Sequence, residues 1–264
     1  MSVTTGEAVS HKRPQIRQIT TSDVHAALLQ GWADFRAAPN FGLFFGGIYA
    51  IAGIFILLQL MAWNQPLWII PLACAFPIIG PFVALGLYEV SRRREENIPL
   101  VWGEVLSALW GQRNGQMPFM AFIVLAAFMV WIWFARLLVA VILGRMSFAV
   151  YSDFNILFTT GSGLTLLFFG TLVGFIIAFC IFSFTVMALP LLLDRDIDFV
   201  TAMITSVDTV KANPRPMLTW AWIVAATLII AMIPFFLGLI IALPVLGHGT
   251  WHLYRKAIAE ENIE

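Results

Sequence analysis

The chain has 264 residues, of which 60% are hydrophobic and only 11% charged, and its 15 basic and 15 acidic side chains cancel. So apolar a composition excludes an ordinary soluble domain, in which about a quarter of residues are charged. The balanced charge offers no basic footprint for nucleic acid, and the partner that the composition implies is a lipid bilayer.

Residues 1–21 are polar and read as a disordered cytoplasmic arm. They lack the apolar core of about 7–15 residues that a signal peptide requires, so the first long apolar run is expected to direct insertion itself. From Ser22 onward one pattern recurs three times: a short amphipathic segment, then two long apolar runs, then charges. The first copy has the amphipathic stretch Ser22–Ala38 and apolar runs Phe41–Trp63 and Leu67–Val90. Val24, Leu28, Trp32 and Phe35 fall at helical spacing there, with Asp23, Gln30, Asp34 and Arg36 elsewhere on the wheel and Thr21 or Ser22 as cap. The second copy has Pro99–Arg113, carrying Val101, Val105, Leu109 and Trp102, Leu106, Trp110, then Pro118–Gly144 and Gly163–Leu193. The third has Ile197–Asn213, with a stripe of Val200, Met203, Ile204, Val207 and Val210, then Met217–Pro234 and Phe236–Tyr254, broken at Pro234 or Gly238. Each amphipathic segment ends in a Pro turn, at Pro39, Pro118 and Pro214.

A span needs about 20 apolar residues to cross about 30 Å of hydrocarbon, and the six runs meet or approach that length. The predicted fold is therefore an all-α polytopic helix bundle. It has six transmembrane helices in three repeats of an amphipathic interfacial helix plus a transmembrane hairpin, about 22–96, 97–194 and 195–258. Thirteen of the fifteen Lys and Arg residues fall in the arm, the second and fourth junctions and the tail; Arg145 and Arg136 are the exceptions. Positive charge is retained inside, so both termini are expected in the cytoplasm. With no organelle transit signature, the natural host is a bacterial inner membrane. A helix with one apolar stripe would cap the bundle from below or lie at the headgroup boundary as a docking surface.

The sequence carries no catalytic constellation, no metal-ligand set and no cofactor motif. Cys74 and Cys180 sit in apolar runs and read as small buried residues. Polar groups inside spans are costly and draw attention. Arg136 lies eight residues before Gly144; it would snorkel outward or pair with Asp153, or else mark a substrate or ion pathway. Glu89 beside Arg92 and Arg93 reads as an interfacial salt bridge. His248 and His252 share a helical face at i, i+4, a spacing that two ligands to a metal or haem can use, although interfacial hydrogen bonding explains it better. Gly42–Gly46 and Gly170–Gly174 are GxxxG pairs that predict helix contacts. Thr159–Gly163 is a loop and cap or a re-entrant element. Pro71, Pro77, Pro81, Pro190, Pro234 and Pro244 punctuate the spans.

Several stretches together carry a resemblance: Arg17-Gln18-Ile19, Gly31-Trp32-Ala33-Asp34-Phe35, Pro77-Ile78-Ile79-Gly80-Pro81 with Tyr88-Glu89-Val90-Ser91-Arg92-Arg93, and Lys211-Ala212-Asn213-Pro214-Arg215-Pro216-Met217. Over most of its length after residue 15, the chain resembles an uncharacterised bacterial family of predicted six-span integral membrane proteins, sometimes labelled cytochrome c oxidase subunit I-like. The family brings no catalytic residues with it. A haem–copper core would call for about six ligating histidines, whereas this chain has four, so the catalytic oxidase subunit is excluded. Two classes follow. The favoured one is a non-catalytic subunit, assembly factor or scaffold of a membrane complex, with a respiratory complex as the partner that the label implies. The alternative is a small-molecule or ion transporter or channel.

Overall fold

The computed structural model describes residues 14–61, 69–112, 115–144 and 155–259. These residues are all-helical, with no strand among them; a single bridge pairs Ile16 with Ile258. The helices are α1 (Thr21–Ala37), α2 (Pro39–Met61), α3 (Ile69–Glu95), α4 (Trp102–Gln112) and α5 (Met117–Leu143). They continue with α6 (Ile156–Thr159), α7 (Gly161–Thr185), α8 (Ala188–Asp194), α9 (Phe199–Ala212), α10 (Pro214–Met232) and α11 (Leu239–Ala257). Four stretches are long and apolar enough to cross a membrane: Pro39–Gln59, Met117–Leu143, Gly161–Asp194 and Pro214–Met232.

Local chemistry explains the helix ends. Thr20 caps α1 through a capping box with Asp23, so the helix starts just before the Ser22 expected from sequence. Asp198 caps α9 by accepting from the Thr201 amide at 2.9 Å. Thr160 caps α7, accepting from the Gly163 amide at 3.0 Å, so within 159–163 residue 159 ends α6, 160 is the cap and 161–163 open α7. The turn between α10 and α11 spans 233–238 and contains both Pro234 and Gly238. The arm is tied down from residue 15. The Ala259 amide donates to Gln15, the Arg17 amide to Ala257, and the Ile19 amide to Asn213 Oδ1 at 2.8 Å.

One apolar run expected to be continuous is broken. Pro190 has no amide hydrogen for the Val186 carbonyl, and the helix divides into α7 and α8 around Val186–Met187. Ser206 of α9 fills the break. The Met187 amide donates to Ser206 Oγ at 3.1 Å, and that hydroxyl donates to the Ser183 carbonyl at 2.7 Å, bridging two groups that an unbroken helix would pair directly. Ser206→Ala is expected to leave both groups unpaired and lower stability by about 1–3 kcal/mol, read as a fall in Tm of the detergent-solubilised protein.

α11 is the hub of the bundle, packed against α1, α2, α3 and α10. Trp251, Leu253 and Tyr254 are buried in its core cluster with Trp220, Met217 and Leu191. α1 lies along α11 in the opposite direction, Asp23 meeting Lys256 at one end and Gly31 meeting Val245 and Gly249 further along. Of the two GxxxG pairs, the first is a tight contact, since a Cβ on Gly46 would lie 2.6 Å from the Ile240 carbonyl oxygen. The second is not. A Cβ on Gly170 would meet nothing within 4 Å, and this pair lines an apolar groove facing Trp131.

The short amphipathic helices turn only part of their apolar stripes inward, with Val24 and Phe35 of α1 and Val210 of α9 buried. α9 buries Ala202, Thr205, Ser206, Thr209 and Val210 while Val200 and Ile204 are exposed. α1 buries Val24, Ala27, Gly31, Asp34 and Phe35 and exposes Leu29 and Trp32. The hydroxyls of Thr205 and Thr209 donate to the carbonyls four residues back, so the hydroxyl face can be buried without unpaired groups.

Candidate functional site

The C-terminal end of α3 gathers the polar chemistry. Successive helical residues point about 100° apart, so the run Ser91-Arg92-Arg93-Arg94-Glu95 reaches several neighbours. Glu89, fully buried, accepts from Arg92 through two bonds of 2.9 Å and from Arg93 Nε at 2.7 Å. Arg93 also pairs with Glu104, fastening α4. Arg94 Nε lies 3.1 Å from Asp34 Oδ1, fastening α1. Glu95 accepts from Trp251 Nε1 at 2.9 Å and from Arg255 Nε at 3.1 Å, fastening α11. At the same end Asp194 of α8 accepts from the Tyr254 hydroxyl at 2.6 Å.

Asp34 is the centre of this arrangement. Its side chain is 8% exposed, and Oδ2 accepts from Ser91 Oγ at 2.6 Å while lying 2.8 Å from His252 Nε2. Burial pushes the carboxyl up, but the hydrogen bonds from His252 and Ser91 outweigh it and hold the group below its ordinary 3.8. Ser91 Oγ is also 2.8 Å from His248 Nδ1. A serine has one hydroxyl hydrogen. With that hydrogen committed to the carboxylate, His248 must donate through Nδ1. His248 is buried, and its Nε2 is without a hydrogen-bond partner among the described residues.

The direction of donation decides what this trio can do chemically. In a serine nucleophile the histidine takes the hydroxyl hydrogen; here it gives one, and Ser91 and His248 are both shut away from solvent. The arrangement is that of a structural clamp. His248 and His252 do share a face, and that face meets α1 and α3. His252 Nε2 is taken up by Asp34, so only its Nδ1 is left to ligate a metal or haem iron while that bond is kept. No group of three or more His, Cys, Asp or Glu side chains that could hold a metal ion occurs among the described residues.

Residues 69–194 match a family model described as Predicted integral membrane protein (DUF2189). That match supports the resemblance to an uncharacterised membrane family and covers α3 to α8, including Ser91–Glu95 and Asp194 of the polar hub. No curated protein and no solved structure matches the chain. The chain is thus similar to integral membrane proteins, and its several apolar helices agree with that description.

The other sequence candidates lie elsewhere. Arg136 is exposed on α5, seven residues before the helix ends at Leu143, and Asp153 lies outside the described residues. Nothing in the local pattern marks Ser91, Arg94, Glu95 and Trp251 as partners, and Asp34 falls off the apolar stripe of its helix. The signal that could have found Asp34 is a run of small residues, Ala27 and Gly31, on its own face.

Proposed function

We propose that the chain is a six-span scaffold of the bacterial inner membrane, a non-catalytic subunit or assembly factor with both termini in the cytoplasm. α3 and α11 complete the six crossings as the second helix of the first and third hairpins. The observation that carries the reading is the self-contained polar hub: its charges bind α1, α3, α4, α8 and α11 to one another at the end rich in Arg and Lys. A transporter needs polar groups facing a path, whereas Arg136 is exposed on the outer surface of α5.

Recurring geometry supports the threefold repeat. The corner after α1, at Ala38, has φ −130° and ψ 55°, and the corner after α9, at Asn213, has φ −127° and ψ 56°, each followed by a proline. Buried Ala27, Gly31, Asp34 and Phe35 have buried counterparts 175 residues later in Ala202, Ser206, Thr209 and Val210. Each amphipathic helix also rests on the last long element of another unit: α1 on α11, α4 on α3, and α9 on α7 and α8.

The test is purification of a tagged chain from its native membrane in mild detergent, with identification of co-purifying proteins and a visible absorption spectrum of the same sample. A stoichiometric membrane complex is the expected result, and a haem spectrum in it would identify a respiratory partner. A partner-free protein whose reconstituted flux is abolished by Arg136→Ala would overturn the scaffold reading in favour of transport.

A further inference from the structure

Two of the three seams between neighbouring units are closed. α2 packs along α11, and α5 packs along α3. At the third seam, between α7 and α10, the helices stand apart and touch through aromatic side chains, with the Phe175 and Trp222 ring centroids 6.2 Å apart. The gap is an apolar cleft of about 260 Å³, walled by Phe175, Phe179 and Phe182 of α7 and by Leu218, Trp222 and Leu228 of α10. Both walls belong to helices apolar enough to cross a membrane, so the cleft faces hydrocarbon.

We infer that this cleft holds one acyl chain of an anionic phospholipid from the cytoplasmic leaflet, with its headgroup phosphate at Arg215. The inference rests on the topology proposed above. From Leu218 to Leu228 the wall rises about 15 Å at about 1.5 Å per residue, half of a hydrocarbon core of about 30 Å. The cleft therefore has the depth of a single leaflet. Arg215 lies one turn before Leu218, on the side of α10 that carries Leu218 and Trp222, and its side chain is exposed. Arg215 forms no ion pair among the described residues. An unneutralised Arg215 one turn from the cleft wall at Leu218 complements a lipid with an acidic headgroup, and it discriminates against a zwitterionic one.

The experiment compares retention of dioleoyl phosphatidylglycerol and dioleoyl phosphatidylcholine by the delipidated full chain, using native mass spectrometry. The wild type is expected to retain one phosphatidylglycerol in preference, Arg215→Gln to bind it about fivefold more weakly, and Ala225→Trp, which fills the cleft from a small lining residue of α10, to lose it while keeping its Tm. Equal retention of the two lipids, or retention unchanged in both variants, would overturn the site. Arg215→Cys, made without Cys74 and Cys180, separates this from the topology. Labelling by an impermeant thiol reagent from the outer side would overturn both the topology and the leaflet assignment. Labelling from the cytoplasmic side together with unselective retention would overturn the lipid site alone.

Discussion

Gly31→Val is expected to prise α1 from α11. A Cβ at residue 31 would lie 2.5 Å from both the Gly249 nitrogen and the Val245 oxygen. These are backbone atoms, so no side-chain rotation relieves the clash and the helix axes must separate. Overpacking costs about 1–3 kcal/mol, and the upper end applies because separation also pulls Asp34 from its partners. The measurement is the Tm in detergent together with thiol labelling of Ala27→Cys, a position with no exposure in the native packing. Labelling should be slow in the parent and fast in the Gly31→Val background. Gly47→Val is the control, since a Cβ there meets nothing within 4 Å, and its Tm should stay close to the parent's. Equal effects at the two glycines would show that helix propensity, not the α1–α11 contact, governs the result.

Asp34→Ala is expected to have the second large effect, because it withdraws one acceptor group from Ser91, His252 and Arg94 together. Removing one partner from a buried charged pair costs about 3–5 kcal/mol, much of it from the charge left behind. The same carboxylate makes stability pH-dependent. Its native pKa is held below the ordinary 3.8, so its stabilisation is complete above the unfolded value and is lost as pH falls through the native one. The bundle should therefore lose α1 on acidification below about pH 4. Asp23 and Asp198, held low chiefly by bonds from Thr20 and Thr201, contribute in the same direction. Asp34→Asn isolates the clamp: it should be less stable at neutral pH and show a weaker acid dependence than the parent. An unaltered acid profile in Asp34→Asn would assign the transition to the helix caps instead.

Much of the architecture was legible because it depends on local rules. Run lengths located the long helices, Pro39 and Pro214 marked the corners, and Pro234 with Gly238 marked the last turn. The Pro190 break was less legible. A proline in an apolar run can remain within a helix, as Pro244 does in α11, and the division at Val186–Met187 depends on Ser206, a residue from another helix that supplies the missing bonds. The polar cluster was half legible. The i, i+4 spacing put His248 and His252 on one face, but nothing local to α11 identifies Asp34 or Ser91 as their partners.

The sequence by itself determined that this is an all-helical chain for a lipid solvent, with amphipathic segments between its apolar runs and basic residues gathered at alternate junctions. Those properties follow from composition and from periodicity within single segments. The tertiary structure decided which faces turn inward, keeping Val24, Phe35 and Val210 of the α1 and α9 stripes inside but leaving Trp32, Val200 and Ile204 outside. In water an apolar stripe points to the core because burial removes it from solvent. At a lipid boundary that preference weakens, and close backbone approach and shared hydrogen bonds help decide which face packs. Gly31, Asp34, Ser206 and Thr209 are therefore buried, whereas Trp32, Val200 and Ile204 remain outside.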